Sequence, residues 1–255
     1  MIQIIDLYKS FEQQQVLNGV NLTIPRGRVT AIIGRSGGGK SVLLKHLIGL
    51  MRPDSGQVLV DGIDLGRLRG KALDQVREKF GVLFQGGALF DSMTVFDNVA
   101  FPLREKTRLS EDEIARRTMQ RLEAVELADM AHKYSAELSG GMRKRAALAR
   151  ALVHDPEIIL FDEPTTGLDP ILLNSIHRLI LDAHKRFGFT AVVVSHEIPE
   201  IFDIAQTVAM LDNGIIVEHN SPEAIMASAN PIIRQFITGT SNGRTGPEQA
   251  NRSAV

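Results

Sequence analysis

The segment GRSGGGKS, residues 34–41, constrains the fold of this 255-residue chain more than any other feature. It matches the pattern G-x-x-x-x-G-K-[ST] and lies between the β-branched apolar run VTAIIG and a stretch with apolar residues at helical spacing. Glycines let successive backbone N–H groups converge on phosphate oxygens, and the helix that follows directs its positive end at the same anion. The pattern therefore predicts a phosphate-binding loop at the end of a buried strand.

The residues of this loop have separate predicted roles toward a nucleoside triphosphate. Lys40 is expected to reach the β- and γ-phosphates, and Ser41 is expected to place its hydroxyl on Mg²⁺. The alternative, a glycine-rich turn with an incidental lysine, is disfavoured because a strand and a helix flank the motif. The remaining loop residues are expected to surround the phosphates: Gly34, Arg35, Ser36, Gly37, Gly38 and Gly39.

A second apolar run, EIILFDEP at 157–164, ends in two acidic residues. As a buried strand it would bring Asp162 to the carboxyl end of the sheet beside the phosphate loop, where a carboxylate suits Mg²⁺. Glu163, one residue further on, would be placed to polarise an attacking water. Acids often cap strands without further function, and an isolated histidine is more often structural. His196, however, follows the apolar run TAVVVS at the same end of the fold, so we expect a functional role for all three.

The segment LSGG at 138–141 predicts a second anion-binding helix start. Ser139 can cap the helix, and Gly140 and Gly141 leave backbone N–H groups accessible. The basic run that follows, RKR at 143–145, is interpreted as a solvated face of that helix. A phosphate-loop kinase or GTPase is disfavoured, because LSGG has no role in those proteins and the sequence contains no NKxD guanine signature.

The order of these motifs resembles that of the ATP-binding cassette ATPases over residues 1 to about 235, from GRSGGGKS through LSGGM, LFDEP and GLDP to VSHE. The resemblance implies a head-to-tail dimer, with ATP held between the phosphate loop of one chain and the LSGG segment of the other. It implies that Phe11 stacks on adenine, although a core phenylalanine is the alternative interpretation. It further implies that Gln85 senses the γ-phosphate and Mg²⁺ during catalysis, that Asp169 acts between subunits, and that His196 acts as a switch.

The motif departs from the usual LSGGQ of that family at Met142. Together with LFQGGALFDSMTVFDNVAFPLRE at 83–105, this departure resembles the ATPase subunits of Mla-type lipid transporters, which work with MCE proteins. The implied function is ATP hydrolysis that moves phospholipid between inner and outer membranes through a separate integral membrane permease. The alternatives are the ATPase of another importer or exporter, for amino acids or other small solutes, and a soluble cassette ATPase without transport.

Composition limits the classes of partner and the location that we expect for this protein. The 29 Lys and Arg against 30 Asp and Glu lack the basic surplus that is typical of nucleic-acid binders, so no nucleic-acid partner is expected. The absence of cysteine excludes disulfides, thiolate zinc sites and cysteine nucleophiles. No apolar run approaches the roughly 18 residues of a membrane span, and no basic region precedes the first apolar stretch, so neither a span nor a signal peptide is expected. We expect a protein on the cytoplasmic side of the inner membrane, held there by the permease.

The alternation of strand and helix patterns predicts an α/β protein. The expected architecture is a phosphate-loop (RecA-like) core with a parallel sheet, an N-terminal antiparallel β subdomain and an inserted α-helical subdomain. The core is expected at about 1–86 and 153–237 and the helical subdomain at about 87–152, so that 1–237 form a single ATPase domain. The segment SEDE at 110–113 predicts a capping box. Residues 238–255 contain no Leu, Ile, Phe or Met and are predicted to form a flexible tail.

Overall fold

The computed structural model describes residues 1–239, so the predicted tail lies outside the described residues except for its first two positions. The strands are β1 (Ile2–Phe11), β2 (Gln14–Ile24), β3 (Val29–Ile33), β4 (Ser55–Val60), β5 (Ile63–Asp64), β6 (Phe80–Leu83), β7 (Ile158–Asp162), β8 (Thr190–Ser195), β9 (Thr207–Asp212) and β10 (Ile215–Asn220). The α-helices are α1 (Lys40–Leu47), α2 (Lys71–Arg77), α3 (Val95–Lys106), α4 (Glu111–Ala124), α5 (Gly140–Leu152), α6 (Pro170–Phe187), α7 (Pro222–Met226) and α8 (Pro231–Thr238).

The larger of two sheets has the strand order β10-β9-β3-β8-β7-β6. Strands β6, β7, β8, β3 and β9 are mutually parallel, and every residue of β3 and β8 is buried. Uniform burial is expected for central strands that are covered on both faces. Because parallel strands end at the same edge, the residues that follow β3, β6, β7 and β8 collect there.

Strand β10 differs from the expected parallel pattern, because it pairs antiparallel with β9. The connection is a two-residue turn in which Asn213 has φ +47° and Gly214 has φ +76°. Asn-Gly is the preferred sequence for such a turn, since both positions require positive φ, and the turn reverses the chain instead of carrying it across the sheet. The sheet therefore ends in one antiparallel edge strand.

The smaller sheet has the order β2-β1-β4-β5 and is antiparallel throughout, which confirms the predicted N-terminal β subdomain. The larger sheet is the middle layer of the molecule. Ile32 and Val192 belong to the apolar cluster formed with the smaller sheet and α1, whereas Ala31 and Val193 belong to the cluster formed with α3, α4 and α5. Alternate residues of one buried strand thus fill two different cores.

The three helices α3, α4 and α5 lie between β6 and β7, where the helical insertion was predicted, and the α/β fold class is confirmed. The Ser110 hydroxyl accepts from the N–H of Glu113 at 3.3 Å, but the Glu113 carboxylate pairs with Arg116 and Arg117. Ion pairs therefore replace the second half of the expected capping box. Between residues 1 and 239, no helix is long and apolar enough to cross a membrane. The exact domain boundaries remain a prediction.

The contact between β6 and α5 can be tested at Gly81. A Cβ at this position would lie 2.4 Å from the carbonyl oxygen of Ala151, at the end of α5. We expect Gly81→Ala to lower the free energy of unfolding by about 1–3 kcal/mol, because the added methyl forces a backbone shift. At Gly86 a Cβ meets none of the described residues within 4 Å, so Gly86→Ala is the matched control. Equal denaturation midpoints for the two variants would contradict this packing.

Candidate active site

The phosphate loop is fixed by close backbone approaches from two neighbouring segments. Gly34 has φ +154°, and a Cβ there would lie 2.1 Å from the carbonyl oxygen of Leu211 at the end of β9. Gly39 has φ +94°, and a Cβ there would lie 3.0 Å from the carbonyl oxygen of Val16 in β2. Both positions therefore require glycine for space as well as for conformation. The loop is therefore held between β9 and β2.

Lys40 is the first residue of α1, and only 4% of its surface is exposed. Its ammonium donates to the carbonyl oxygens of Gly34 at 2.8 Å and Arg35 at 2.9 Å. Burial lowers the pKa of Lys40, while the carboxylates of Glu163 and Asp162 oppose that change. The structure therefore places a positive charge inside the loop, facing the carboxyl end of β7.

Ser41 and Asp162 lie together, with the Ser41 hydroxyl donating to Asp162 Oδ1 at 3.0 Å. Burial raises the pKa of Asp162, and the Ser41 hydrogen bond partly opposes this. A partly buried carboxylate beside a hydroxyl is a hard oxygen donor pair that suits Mg²⁺. Within residues 1–239 no group of three or more His, Cys, Asp or Glu side chains converges as a metal site. This small donor set fits Mg²⁺ bound through few protein ligands together with phosphate and water.

Glu163 is held by hydrogen bonds on both carboxylate oxygens. Its Oε1 lies 3.2 Å from His196 Nδ1, and its Oε2 accepts from the Thr166 hydroxyl at 3.1 Å. The N–H of Glu163 donates to the carbonyl oxygen of Val194 at 3.0 Å, and its φ is +48°. This left-handed backbone turns the side chain at the strand end, where His196 is more exposed than the carboxylate. The structure thus brings the predicted base and the predicted switch histidine together.

A cleft of about 350 Å³ opens beside the phosphate loop. One wall is formed by Arg35, Ser36, Gly37 and Gly38, and the others by Gln14 to Val16 and the β9–β10 turn. Phe11, paired with Gln14 across the first hairpin, is 42% exposed and therefore does not belong to the core. An exposed aromatic ring paired with Gln14, which lines the cleft, is available for stacking on a base.

Two further helix starts lie side by side. Ser139 caps α5 by accepting from the N–H of Met142 at 3.3 Å, and Asp169 caps α6 by accepting from two N–H groups at 3.0 Å. Cβ atoms built at Gly140 and Gly141 would lie 3.8 Å from Leu168 and 3.5 Å from Leu172, respectively. The predicted LSGG and Asp169 elements thus form one surface.

The interpretation of residues 143–145 as a solvated helix face is wrong for two of the three. Lys144 is buried, and its ammonium donates to the carbonyl oxygen of Gln85. Arg145 is partly buried and donates to the carbonyl oxygen of Val125 and to the Ser175 hydroxyl. The long side chains reach acceptors that become neighbours only in the folded protein. Gln85 itself is exposed in the loop that follows β6.

Comparison with known proteins agrees with this arrangement. Residues 17–166 match the family model for ABC transporters. The chain belongs to the ABC transporter family. It is 44% identical over its whole length to the probable ribonucleotide transport ATP-binding protein mkl of Mycobacterium tuberculosis, covering 71% of that protein. It is also 44% identical to the intermembrane phospholipid transport system ATP-binding protein MlaF of Escherichia coli, over 89% of this chain and 85% of that one.

Solved structures of the family share the fold. The dimeric ATP-binding cassette MJ0796, in a post-hydrolysis state bound to ADP and Pi, aligns with a TM-score of 0.79 and 32% identity. The alignment covers 87% of this chain and 99% of that one. This chain is therefore a nucleotide-binding ATPase of the ABC family, and the ATP-binding cassette resemblance is confirmed. The roles of individual site residues remain predictions.

The sequence did not predict two residues that hold the predicted site residues in place through hydrogen bonds. Thr166 fixes Glu163, and Lys144 holds the backbone at Gln85. The signal for Thr166 is its position three residues after Glu163 in the same turn, a spacing at which a hydroxyl can reach back. No comparable signal exists for Lys144, because its acceptor is 59 residues away in the sequence.

The raised pKa of Asp162 predicts a conflict between stability and activity. The folded state binds this proton more tightly than the unfolded chain, so the carboxyl group costs stability as the pH rises through its folded pKa. Asp162→Asn keeps an oxygen for Ser41 without the charge. We therefore expect the nucleotide-free variant to melt above the parent near about pH 8, with the difference disappearing as the pH falls to the ordinary pKa of an aspartate. We also expect it to lose Mg²⁺-dependent ATP hydrolysis.

Thermal unfolding across this pH range and steady-state hydrolysis measure both effects. Asp54→Asn is the matched control of opposite sign, because Lys9 and the N–H of Ser10 lower the pKa of that exposed carboxyl. Asp54→Asn should therefore melt below the parent near neutral pH. An Asp162→Asn variant that also melts below the parent would contradict the proposed cost of the buried charge.

Proposed function

We propose that this chain is the ATP-hydrolysing subunit of a transporter that moves phospholipid between inner and outer membranes. ATP and Mg²⁺ are its ligands, a second copy completes each site, and an integral membrane permease receives the motion. The observation that carries the nucleotide chemistry is the Ser41–Asp162 hydrogen bond beside the Glu163–His196 pair. It unites a phosphate loop, a cation ligand set and a candidate base at one sheet edge.

The phosphate loop residues would bind the triphosphate. Lys40 would exchange its two carbonyl acceptors for phosphate oxygens, and the N–H groups at the start of α1 would face the same charge. Ser41, Asp162 and Gln85 would hold Mg²⁺. The cation, when bound, supplies positive charge that offsets the negative charge on the β- and γ-phosphates. Phe11 would stack on the adenine beside the cleft.

Glu163 would orient the attacking water and accept its proton. Both of its oxygens already hold hydrogen bonds, to His196 and to Thr166, so the plane of the carboxylate is set before water arrives. Such preorganisation avoids a reorientation during the reaction. His196 is the more exposed partner and would be the group that responds to the γ-phosphate.

A second copy of the chain would supply the other half of each site. Ser139, Gly140 and Asp169 are exposed at two adjacent helix starts, and Gly141 is buried next to Gly140. The N–H groups at the start of α5 suit an anion held by a neighbouring molecule. The similarity to a dimeric ATP-binding cassette supports the head-to-tail arrangement. ATP binding would close this dimer and hydrolysis would reopen it. The permease would change conformation with each of these two states of the dimer.

The cargo assignment rests on relatives. MlaF, of which this chain covers 85%, is named for intermembrane phospholipid transport. Met142 in place of the usual glutamine, together with residues 83–105, also supports phospholipid as the cargo. This supports a location on the cytoplasmic side of the inner membrane, held by the permease, with an MCE-type protein delivering the lipid. The mkl relative, named for ribonucleotide transport, makes ribonucleotide the competing cargo.

Two variants separate nucleotide binding from hydrolysis. Glu163→Gln should bind ATP normally but hydrolyse it at least about a hundredfold more slowly, because the general base is lost while the shape is kept. A dimer should accumulate with ATP, measurable by size-exclusion chromatography. Lys40→Ala should instead lose ATP affinity, because it removes the charge that faces the phosphates. Near-normal turnover in Glu163→Gln, or unchanged ATP affinity in Lys40→Ala, would remove those residues from their proposed roles.

The cargo is tested with the purified transporter complex in vesicles. Fluorescent phospholipid should leave donor vesicles that contain the parent complex and ATP, and should stay in vesicles that contain the Glu163→Gln complex. Loss of the gene should weaken the outer-membrane barrier. ATP-dependent movement of labelled ribonucleotide without movement of lipid would show that the cargo is ribonucleotide and not phospholipid. Co-purification of a soluble amino-acid-binding protein would likewise overturn the lipid assignment.

A further inference from the structure

Lys144 belongs to α5, the helix that begins after Ser139, and contacts one of the three loops that carry candidate site residues. The loops after β6, β7 and β8 carry Gln85, Glu163 and His196, respectively. Lys144 is only 7% exposed, and its ammonium donates directly to the backbone carbonyl of Gln85. The side chain therefore joins α5 to the first of these loops.

The charge of Lys144 also acts on the other two loops. Its ammonium is attracted by the carboxylates of Glu197 and Glu163. Glu197 follows His196 and accepts from the hydroxyl of Thr165, which belongs to the loop of Glu163 and is fully buried. The β8-loop carboxylate that attracts Lys144 is thus itself bonded to the β7 loop.

A lysine at this position does not serve core packing. Lys144 is buried, and removing an ammonium group from water costs free energy. A methionine of similar length would fill the space without that cost. Arg150, two turns further along α5, donates to the carbonyl oxygens of Gly87 and Ala88. Cations of α5 therefore hold the loop after β6 at two points, and the charge of Lys144 also interacts with the carboxylates of Glu197 and Glu163.

We propose that Lys144 is a positioning residue for ATP hydrolysis, which fixes Gln85 and the loops of Glu163 and His196 relative to α5. The proposal rests on the proposed dimer. Because α5 begins directly after Ser139, a shift of that helix on binding the partner's nucleotide would reach Gln85 and Glu163 of its own site through Lys144. The two nucleotides of the dimer would thereby be coupled within one chain.

The test uses Lys144→Met in the full chain, with Lys144→Arg as the conservative variant and Lys185→Met as the matched control. Lys185 is exposed near the end of α6, just before the amino end of β8, whereas these loops follow the carboxyl ends of the strands. We expect Lys144→Met to lower kcat about tenfold or more, because a charge-assisted hydrogen bond has been lost from the reacting arrangement. The KM for ATP should stay within about twofold, since the phosphate loop is untouched. Lys144→Arg should recover a large part of kcat, and Lys185→Met should match the parent.

A double variant tests whether a loss of activity in Lys144→Met is due to misfolding. Lys144→Met with Glu197→Gln removes the ammonium together with one of the two carboxylates that attract it, so it should melt closer to the parent than Lys144→Met and still hydrolyse ATP as slowly. A kcat for Lys144→Met or the double variant within about twofold of the parent would overturn the proposal, as would a KM that rises in step with the fall in kcat. The assay measures ATP hydrolysis in the absence of lipid. Its result can therefore be interpreted even if the transporter does not move phospholipid.

Discussion

The buried ammonium of Lys40 is the interaction on which the nucleotide end of this fold depends. Two acidic residues in succession at the end of a buried strand would repel each other and resist desolvation without a nearby cation. Lys40 supplies that cation from the opposite side, held by the carbonyl oxygens of Gly34 and Arg35. The loop can bend around its own lysine only because glycine occupies the position pressed against Leu211. The glycines, the lysine and the acidic pair are therefore one structural unit, and a phosphate group can later take the place of the loop carbonyls.

Much of this unit could be predicted from the sequence, because its parts are local. A β-branched run before GRSGGGKS fixes strand, loop and helix together, and LFDE fixes the carboxylates at a strand end. The direction of strand β10 is less evident from the sequence. Its apolar pattern resembles that of a core strand, but the Asn213-Gly214 turn reverses the chain, so that β10 runs antiparallel to β9. The half-formed capping box at Ser110 has a similar origin, since Glu113 has two arginines within one turn that compete for its carboxylate.

The basic residues of α5 show why the remainder of the site could not be predicted. A run of charges on a helix normally indicates a solvated face. Irregular loops, however, carry backbone carbonyls that have no partner in a strand or helix, and buried carbonyls require a donor. Lys144, Arg145 and Arg150 supply donors to such carbonyls at Gln85, Val125 and Gly87. These contacts depend on which loops the fold brings to the helix, and helical periodicity contains no information about that.

The division of the site into two surfaces explains why one chain would be incomplete as an ATPase. The first surface has a phosphate loop, a cation ligand pair and a held carboxylate, but it faces solvent on one side. The second surface has two capped helix starts whose first N–H groups lack intrahelical acceptors. Asp169 already accepts the N–H groups of Ile171 and Leu172, and α6 begins with Pro170, which has no N–H. The donors that this surface offers a phosphate are therefore the first N–H groups of α5 and the hydroxyl proton of Ser139, whose oxygen accepts from Met142. On the proposed dimer, the second surface of one copy covers the open side of the first surface of the other. Closure would then both exclude water from the γ-phosphate and complete its set of donors.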